Sequence, residues 1–235
     1  MKVLLITPPM VQLNTPYPAV PRLAAFLQSR GVSVHQADAS LQLALRLFSP
    51  SGLGRIAREL ERAPARRRPA ARRFVRQTPH YQSVIIPLLR FLRGDDPALA
   101  YRIAHTDFLP RGPRFDWLDR TDDDPLIPAF GSLGLQDRAR YLAGLMLEDI
   151  TDAIRDHLAP EFDLARYGEK LAVVAPSFDA LDTALHRPPH LVDREIDRIA
   201  RDLAHRHQPR LIGFTLPFPG TVYAAFRMAR VFRQI

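Results

Sequence analysis

Hydrophobic and polar positions along this chain follow strand-like spacing at both ends and helical spacing between them. Val3-Leu4-Leu5-Ile6 is an unbroken apolar run closed by Thr7-Pro8-Pro9. A short branched run bounded by prolines predicts a strand buried on both faces. Val20, Leu23, Ala24 and Leu27 then fall on one helical face after Pro18, and Gly31 supplies the stop. Residues 32–38 read as a second strand. Strand, helix and strand within forty residues form a βαβ unit, whose two strands run parallel. The loop between the first strand and its helix lies where doubly wound α/β proteins bind ligands.

From residue 41 onward the spacing is helical. Helices are expected over 41–47, 55–62, 84–93, 97–105 and 135–158, the last carrying Leu142, Met146, Ile150, Ile154 and Leu158. Residues 110–134 are irregular. Strand-like runs return at 171–174, before Ala175-Pro176-Ser177-Phe178, and at 211–215. Between them Val192, Ile196, Ile199 and Leu203 mark a helix. After the tight loop Leu216-Pro217-Phe218-Pro219-Gly220, residues Val222, Ala225, Phe226 and Ala229 line a final helix, in which the chain is expected to end. The expected fold is α/β: a parallel sheet built from residues 1–42 and 171–235, interrupted by a helical insertion over 43–170. Three or four strands fall short of the five usual in such sheets. The sheet is therefore expected to be incomplete, and the chain to be the N-terminal part of a longer protein.

Composition narrows the chemistry. With no cysteine among 235 residues, disulfides, cysteine-ligated zinc and iron–sulfur clusters are excluded within the chain. No signal peptide and no apolar run of bilayer length occur, so a cytoplasmic protein away from membranes is expected. The formal charge of +8 is local, because seven arginines and no acid lie between positions 62 and 76. Such a cluster suits a nucleic-acid or adaptor surface, yet only Phe74 among them offers a ring for base stacking. A solvated helix face is the plainer expectation.

Leu4-Leu5-Ile6-Thr7-Pro8-Pro9, Asn14-Thr15-Pro16-Tyr17-Pro18 and the helix 23–27 ending at Gly31 resemble the opening of cobalamin-dependent radical S-adenosylmethionine proteins. So does Gly213-Phe214-Thr215-Leu216-Pro217-Phe218-Pro219-Gly220 leading into Tyr223, while Ala175-Pro176-Ser177-Phe178 fits members with an insertion in this domain. The resemblance covers about 1–42 and 170–235. It implies a Rossmann-like domain holding cobalamin at the C-terminal edge of its sheet. Thr7, Pro8, Pro9, Asn14, Tyr17 and Pro18 would then face the corrin, and Thr215, Leu216, Pro217 and Phe218 the nucleotide tail. It further implies a separate radical domain, absent here, with a four-iron four-sulfur cluster and S-adenosylmethionine. No catalytic residue and no protein metal ligand would then belong to this chain. The family's usual reactions are methyl transfer and other radical chemistry.

Other signals are thinner. The Asp-x-His-x-x-Gly motif that ligates cobalt in other cobalamin proteins is missing, and His35 is the first histidine. His205 and His207, two apart on a helix, point to different faces, and His186 and His190 flank a Pro-Pro turn; all four are expected at the surface. Asp122-Asp123-Asp124 reads as solvated. A nucleotide or sugar-nucleotide enzyme using the same sheet edge is the remaining alternative.

Overall fold

The computed structural model describes residues 1–11, 17–64, 68–118, 134–163 and 178–235. The protein is a mixed α/β chain with a three-stranded parallel sheet and many helices. It divides into two compact units, Met1–Arg46 with Ala159–Ile235, and Leu47–Leu158.

The first unit holds the sheet. Strands β1 (Lys2–Thr7), β2 (Ser33–Asp38) and β3 (Leu211–Phe214) lie in the order β2-β1-β3, both pairings parallel. Central β1 is buried on both faces from Val3 onward, as its apolar run requires. Helix α1 (Ala19–Ser29) covers one face, packing Val20 and Ala24 against Val3, Leu5 and Val34. It ends in a Schellman turn. Gly31 takes φ 76°, its N–H donates to the Gln28 carbonyl at 3.0 Å, and Val32 N–H reaches back to the Leu27 carbonyl at 3.1 Å. That turn aims the chain into β2. Leu4 and Ile6 alternate to the opposite face and are fully buried. Gly213 lies opposite Leu5, where a Cβ would meet Leu5 Cδ2 at 2.9 Å and displace the end of that side chain.

The remaining helices of this unit are α2 (Ala39–Leu47), which continues directly from β2 and ends at the boundary, and three others described after the second unit. The second unit is helical: α3 (Pro50–Arg62), α4 (Pro69–Leu92), α5 (Leu99–His105), a 3-10 turn at Pro113–Phe115, and α6 (Leu135–His157). Ser49 caps α3 by accepting the Gly52 N–H at 3.0 Å, with Pro50 in the first turn. Helix α4 corrects the expectation of a helix over 84–93, for it runs unbroken through Pro79 and Pro87. Each proline forfeits one backbone hydrogen bond. Burial of Phe74, Tyr81, Val84, Ile85, Leu88 and Phe91 along one face outweighs that loss, at about 1.5–3 kcal/mol per large apolar side chain.

The chain returns to the first unit through α7 (Asp179–His186), α8 (Leu191–His207) and α9 (Val222–Phe232). Helix α9 closes at Phe232, three residues before the terminus, rather than running through Ile235. The strand expected at 171–174 and the Ala175-Pro176-Ser177 segment lie outside the described residues, as does Asp122-Asp123-Asp124. No described helix is long and apolar enough to cross a membrane.

Candidate functional site at the C-terminal edge of the sheet

The three strands end level. In register Thr7 lies opposite Asp38 and Ile6 opposite Phe214, so the C-terminal ends of β2, β1 and β3 form one edge. Thr215 N–H donates to the Ile6 carbonyl at 3.1 Å, carrying the β3 ladder one residue further. This edge is where parallel α/β sheets leave room for a ligand.

Each strand leaves the edge through a braced loop. After β1, Pro8, Pro9, Met10 and Val11 turn inward and are buried. Ser40, at the start of α2 and 1% exposed, holds that segment from the β2 side. Its hydroxyl accepts the Val11 N–H at 2.9 Å and donates to the Val11 carbonyl at 3.1 Å. Asp38 is engaged in capping α2, accepting the Leu41 N–H at 2.8 Å. After β3, the Thr221 hydroxyl and N–H both donate to the Phe218 carbonyl, at 2.7 and 3.0 Å. With Pro219 in the same turn, this loop has little backbone freedom left.

The two loops meet. The Tyr17 and Phe218 rings pack edge to face, centroids 6.2 Å apart, although 201 positions separate them in sequence. Both are exposed, with Phe218 at 52% and Leu216 at 50% beside it, and Pro18 is exposed as well. Thr7, Pro8 and Pro9 are buried beneath, and Thr215 and Pro217 are half-buried. The Thr215 Oγ1 atom is buried and makes no hydrogen bond. Asn14 lies outside the described residues. The accessible part of the edge is therefore an apolar shelf of Tyr17, Pro18, Leu216 and Phe218 above one unsatisfied hydroxyl. Neither flanking loop contains a histidine, and His35 sits level with Leu4 in mid-strand.

Residues beyond the edge fix its position. Tyr223, in the first turn of α9, is fully buried and donates its hydroxyl to Asp193 Oδ1 on α8 at 2.8 Å. One turn later Arg227 donates to Asp197 Oδ2 at 2.7 Å and to the Asp193 carbonyl at 3.3 Å. Burial and the neighbouring Asp193 carboxylate push the Tyr223 phenol up to about 12. His190 and Asp193 form a capping box at the start of α8, each side chain accepting the other's backbone N–H at 3.2 Å. Arg187 grips Glu161 with a two-pronged bond of 2.5 and 3.1 Å, and His190 Nε2 stands 3.6 Å from the same carboxylate. His190 is therefore not the surface histidine its Pro-Pro context predicts. Sequence reading missed this cluster. Its signature is a matched pair of i, i+4 polar positions, Asp193/Asp197 and Tyr223/Arg227, on helices that otherwise read as amphipathic.

The other sequence candidates are dispersed. His207 is half-buried, its ring 4.6 Å from that of His35; burial, His35 and Arg206 hold it below the usual imidazole range. Of the arginines between 62 and 76, Arg68 donates to the Asp156 carbonyl, and Arg73 to Asp116 and the Arg111 carbonyl. Among the described residues Arg62, Arg72 and Arg76 make no ion pair, and Arg66 and Arg67 lie outside the description. Among the described residues no group of three or more His, Asp or Glu side chains is placed to hold a metal ion. Comparison of the chain with protein-family models, curated proteins and solved structures gave no match.

Proposed function

We propose that the first unit is a Rossmann-like cobalamin-binding module of the kind found in cobalamin-dependent radical S-adenosylmethionine proteins. The observation that carries the reading is the meeting of Tyr17 and Phe218 above level strand ends. The donor set fits a corrin. The macrocycle presents a broad apolar face, for which Tyr17, Pro18, Leu216 and Phe218 supply an exposed shelf. Its amide-bearing periphery and nucleotide tail present hydrogen-bonding groups, for which the unpartnered Thr215 hydroxyl is available. Because the loops carry no histidine, they supply no imidazole to the cobalt.

When bound, cobalamin supplies a cobalt centre able to carry an alkyl group. The protein's share is positional: Ser40 and the Asp193–Tyr223 pair hold the two loops, and the aromatic shelf excludes water from one corrin face. With no cysteine in the chain, its own residues ligate no four-iron cluster. Generation of a radical from S-adenosylmethionine therefore belongs to a separate radical domain in this reading.

Hydroxocobalamin incubated with the full chain should co-elute with it after desalting, seen as corrin absorbance near one equivalent. Phe218→Ala and Thr215→Val should each reduce the retained corrin while leaving the far-UV circular dichroism unchanged. No retained corrin, or retention by both variants equal to that of the unaltered chain, overturns the assignment.

A further inference from the structure

The helical unit contains a cavity of about 140 Å³ between α4, the Pro113–Phe115 turn and α6. One wall is aromatic: Phe74 and Tyr81 stack with centroids 4.9 Å apart. The facing wall is a polar stripe of α6 that includes Asp149, Asp152 and His157.

The charges around the cavity are unequally satisfied. Asp152 is held on both sides, by Arg114 at 2.6 Å and Arg155 at 2.5 Å. Asp156 pairs with Arg155 at 3.1 Å, and Arg73 is committed to Asp116 and to the Arg111 carbonyl. Asp149 has no such partner. It is 4% exposed; Oδ1 accepts the Arg114 backbone N–H at 2.9 Å, and Oδ2 makes no hydrogen bond. Gly112 is what lets the carboxyl stand there, since a Cβ at that position would lie 2.3 Å from Oδ2. His157, two turns along the same helix, also lines the cavity, with the Asp156 backbone against its ring. Burial chiefly, and nearby Arg68, hold His157 below the ordinary imidazole range, so its ring favours the neutral form.

A buried carboxyl oxygen without a hydrogen bond asks for a donor-rich partner. A cavity of this size accommodates a single aromatic ring, and the Phe74–Tyr81 wall attracts a planar cation. We propose that this cavity binds a small aryl or planar organic cation, whose N–H groups are taken by Asp149 Oδ2. The proposal is independent of the corrin reading.

Titration calorimetry of the full chain with benzylammonium chloride, beside its neutral isostere benzyl alcohol, is the test. The ammonium should bind one to one and about tenfold or more tighter than the alcohol. Asp149→Asn should erase that preference, and Gly112→Ala, which drives a methyl group into Oδ2, should abolish binding. Because Gly112→Ala crowds a buried carboxyl and can fail to fold, the carbon-13 carboxyl resonance of Asp149 in the unaltered chain provides a separate readout. It should move on adding benzylammonium and stay still with benzyl alcohol. No heat up to ~10 mM ligand, equal affinity for amine and alcohol, or an unmoved Asp149 resonance overturns the proposal and leaves a water-filled cavity.

Discussion

Asp193 in the sheet unit and Asp149 in the helical unit are both buried carboxyls on long helices, 0% and 4% exposed. Their surroundings differ in kind. Asp193 receives the Tyr223 hydroxyl and the His190 N–H, with Arg227 and Arg187 within 3.6 and 3.7 Å. Asp149 receives the Arg114 N–H on one oxygen and has the Gly112 backbone against its carboxyl, and it lines a cavity with no charged partner bound to it. A fully partnered buried carboxylate ties helices together; a half-partnered one carries an unmet electrostatic demand. Equal burial therefore does not mean equal purpose. The first anchors α9 behind the sheet edge, and the second marks the cavity proposed to take a cation.

The largest expected effect breaks the partnered side. Asp193→Ala strands the Tyr223 hydroxyl in a dry interior and opens the capping box of α8, while Arg227 keeps Asp197, and should cost about 2–4 kcal/mol in urea denaturation. Asp149→Asn should act in the opposite direction. Burial chiefly, against the Arg114 N–H, raises the Asp149 carboxyl from 3.8 to about 6. The folded state therefore favours the proton. The stability linked to this group is complete below pH 3.8 and is lost as pH rises through 6. At pH 8 the asparagine variant should be more stable by about 2 kcal/mol, and near pH 3.5 the difference should vanish. A variant that loses stability at pH 8 would mean that Oδ2 has a partner after all.

Glu161 tests the same contrast with the sign reversed. Burial raises its pKa, but the nearby His190 ring and the Arg187 fork outweigh this and hold it at about 2, below its ordinary 4.5. Its contribution is present above pH 4.5 and fades as pH falls through 2. Glu161→Gln should cost about 1–2 kcal/mol at pH 7, allowing for solvent screening of a partly accessible pair, and little at pH 2. The smallest change is Tyr223→Phe, which removes one hydroxyl from Asp193 and keeps the ring. A loss of about 1 kcal/mol is expected, measured by thermal melting. A loss as large as that of Asp193→Ala would mean that this single bond, and not the cluster, anchors α9.

Much of the sheet was legible from local pattern. The run Val3-Leu4-Leu5-Ile6 announced a strand buried on both faces, and Gly31 announced the turn that launches β2. The nearness of Tyr17 and Phe218 followed from placing two βα loops on one edge. The start of α4 was not legible. Residues 69–83 lack the apolar spacing that marked 84–93, because pattern and propensity are local quantities, whereas α4 is held by its contact with α3 and α6. The polar cluster was illegible for a related reason. Asp193 and Asp197 look solvated until α9, some thirty residues later, brings Tyr223 and Arg227 against them. Likewise Ser40 is an ordinary helix-start serine unless the buried Val11 backbone is known to need both its donor and its acceptor.

The sheet unit is assembled from two separated stretches of chain, while the helical unit is one continuous stretch. This sets an order of events at the ribosome. Strands β1 and β2 emerge early and can pair, but β3, the third member of the edge, lies about 200 residues downstream of β1 and is made roughly 10–40 s later at ordinary elongation rates. Throughout that wait the side of β1 destined for β3 stands open, and Gly213 has yet to arrive opposite Leu5. The helical unit can close in the interval. The Tyr17–Phe218 shelf thus exists only once both stretches have been made, and any ligand it holds can be engaged only after the loop beyond β3 has emerged.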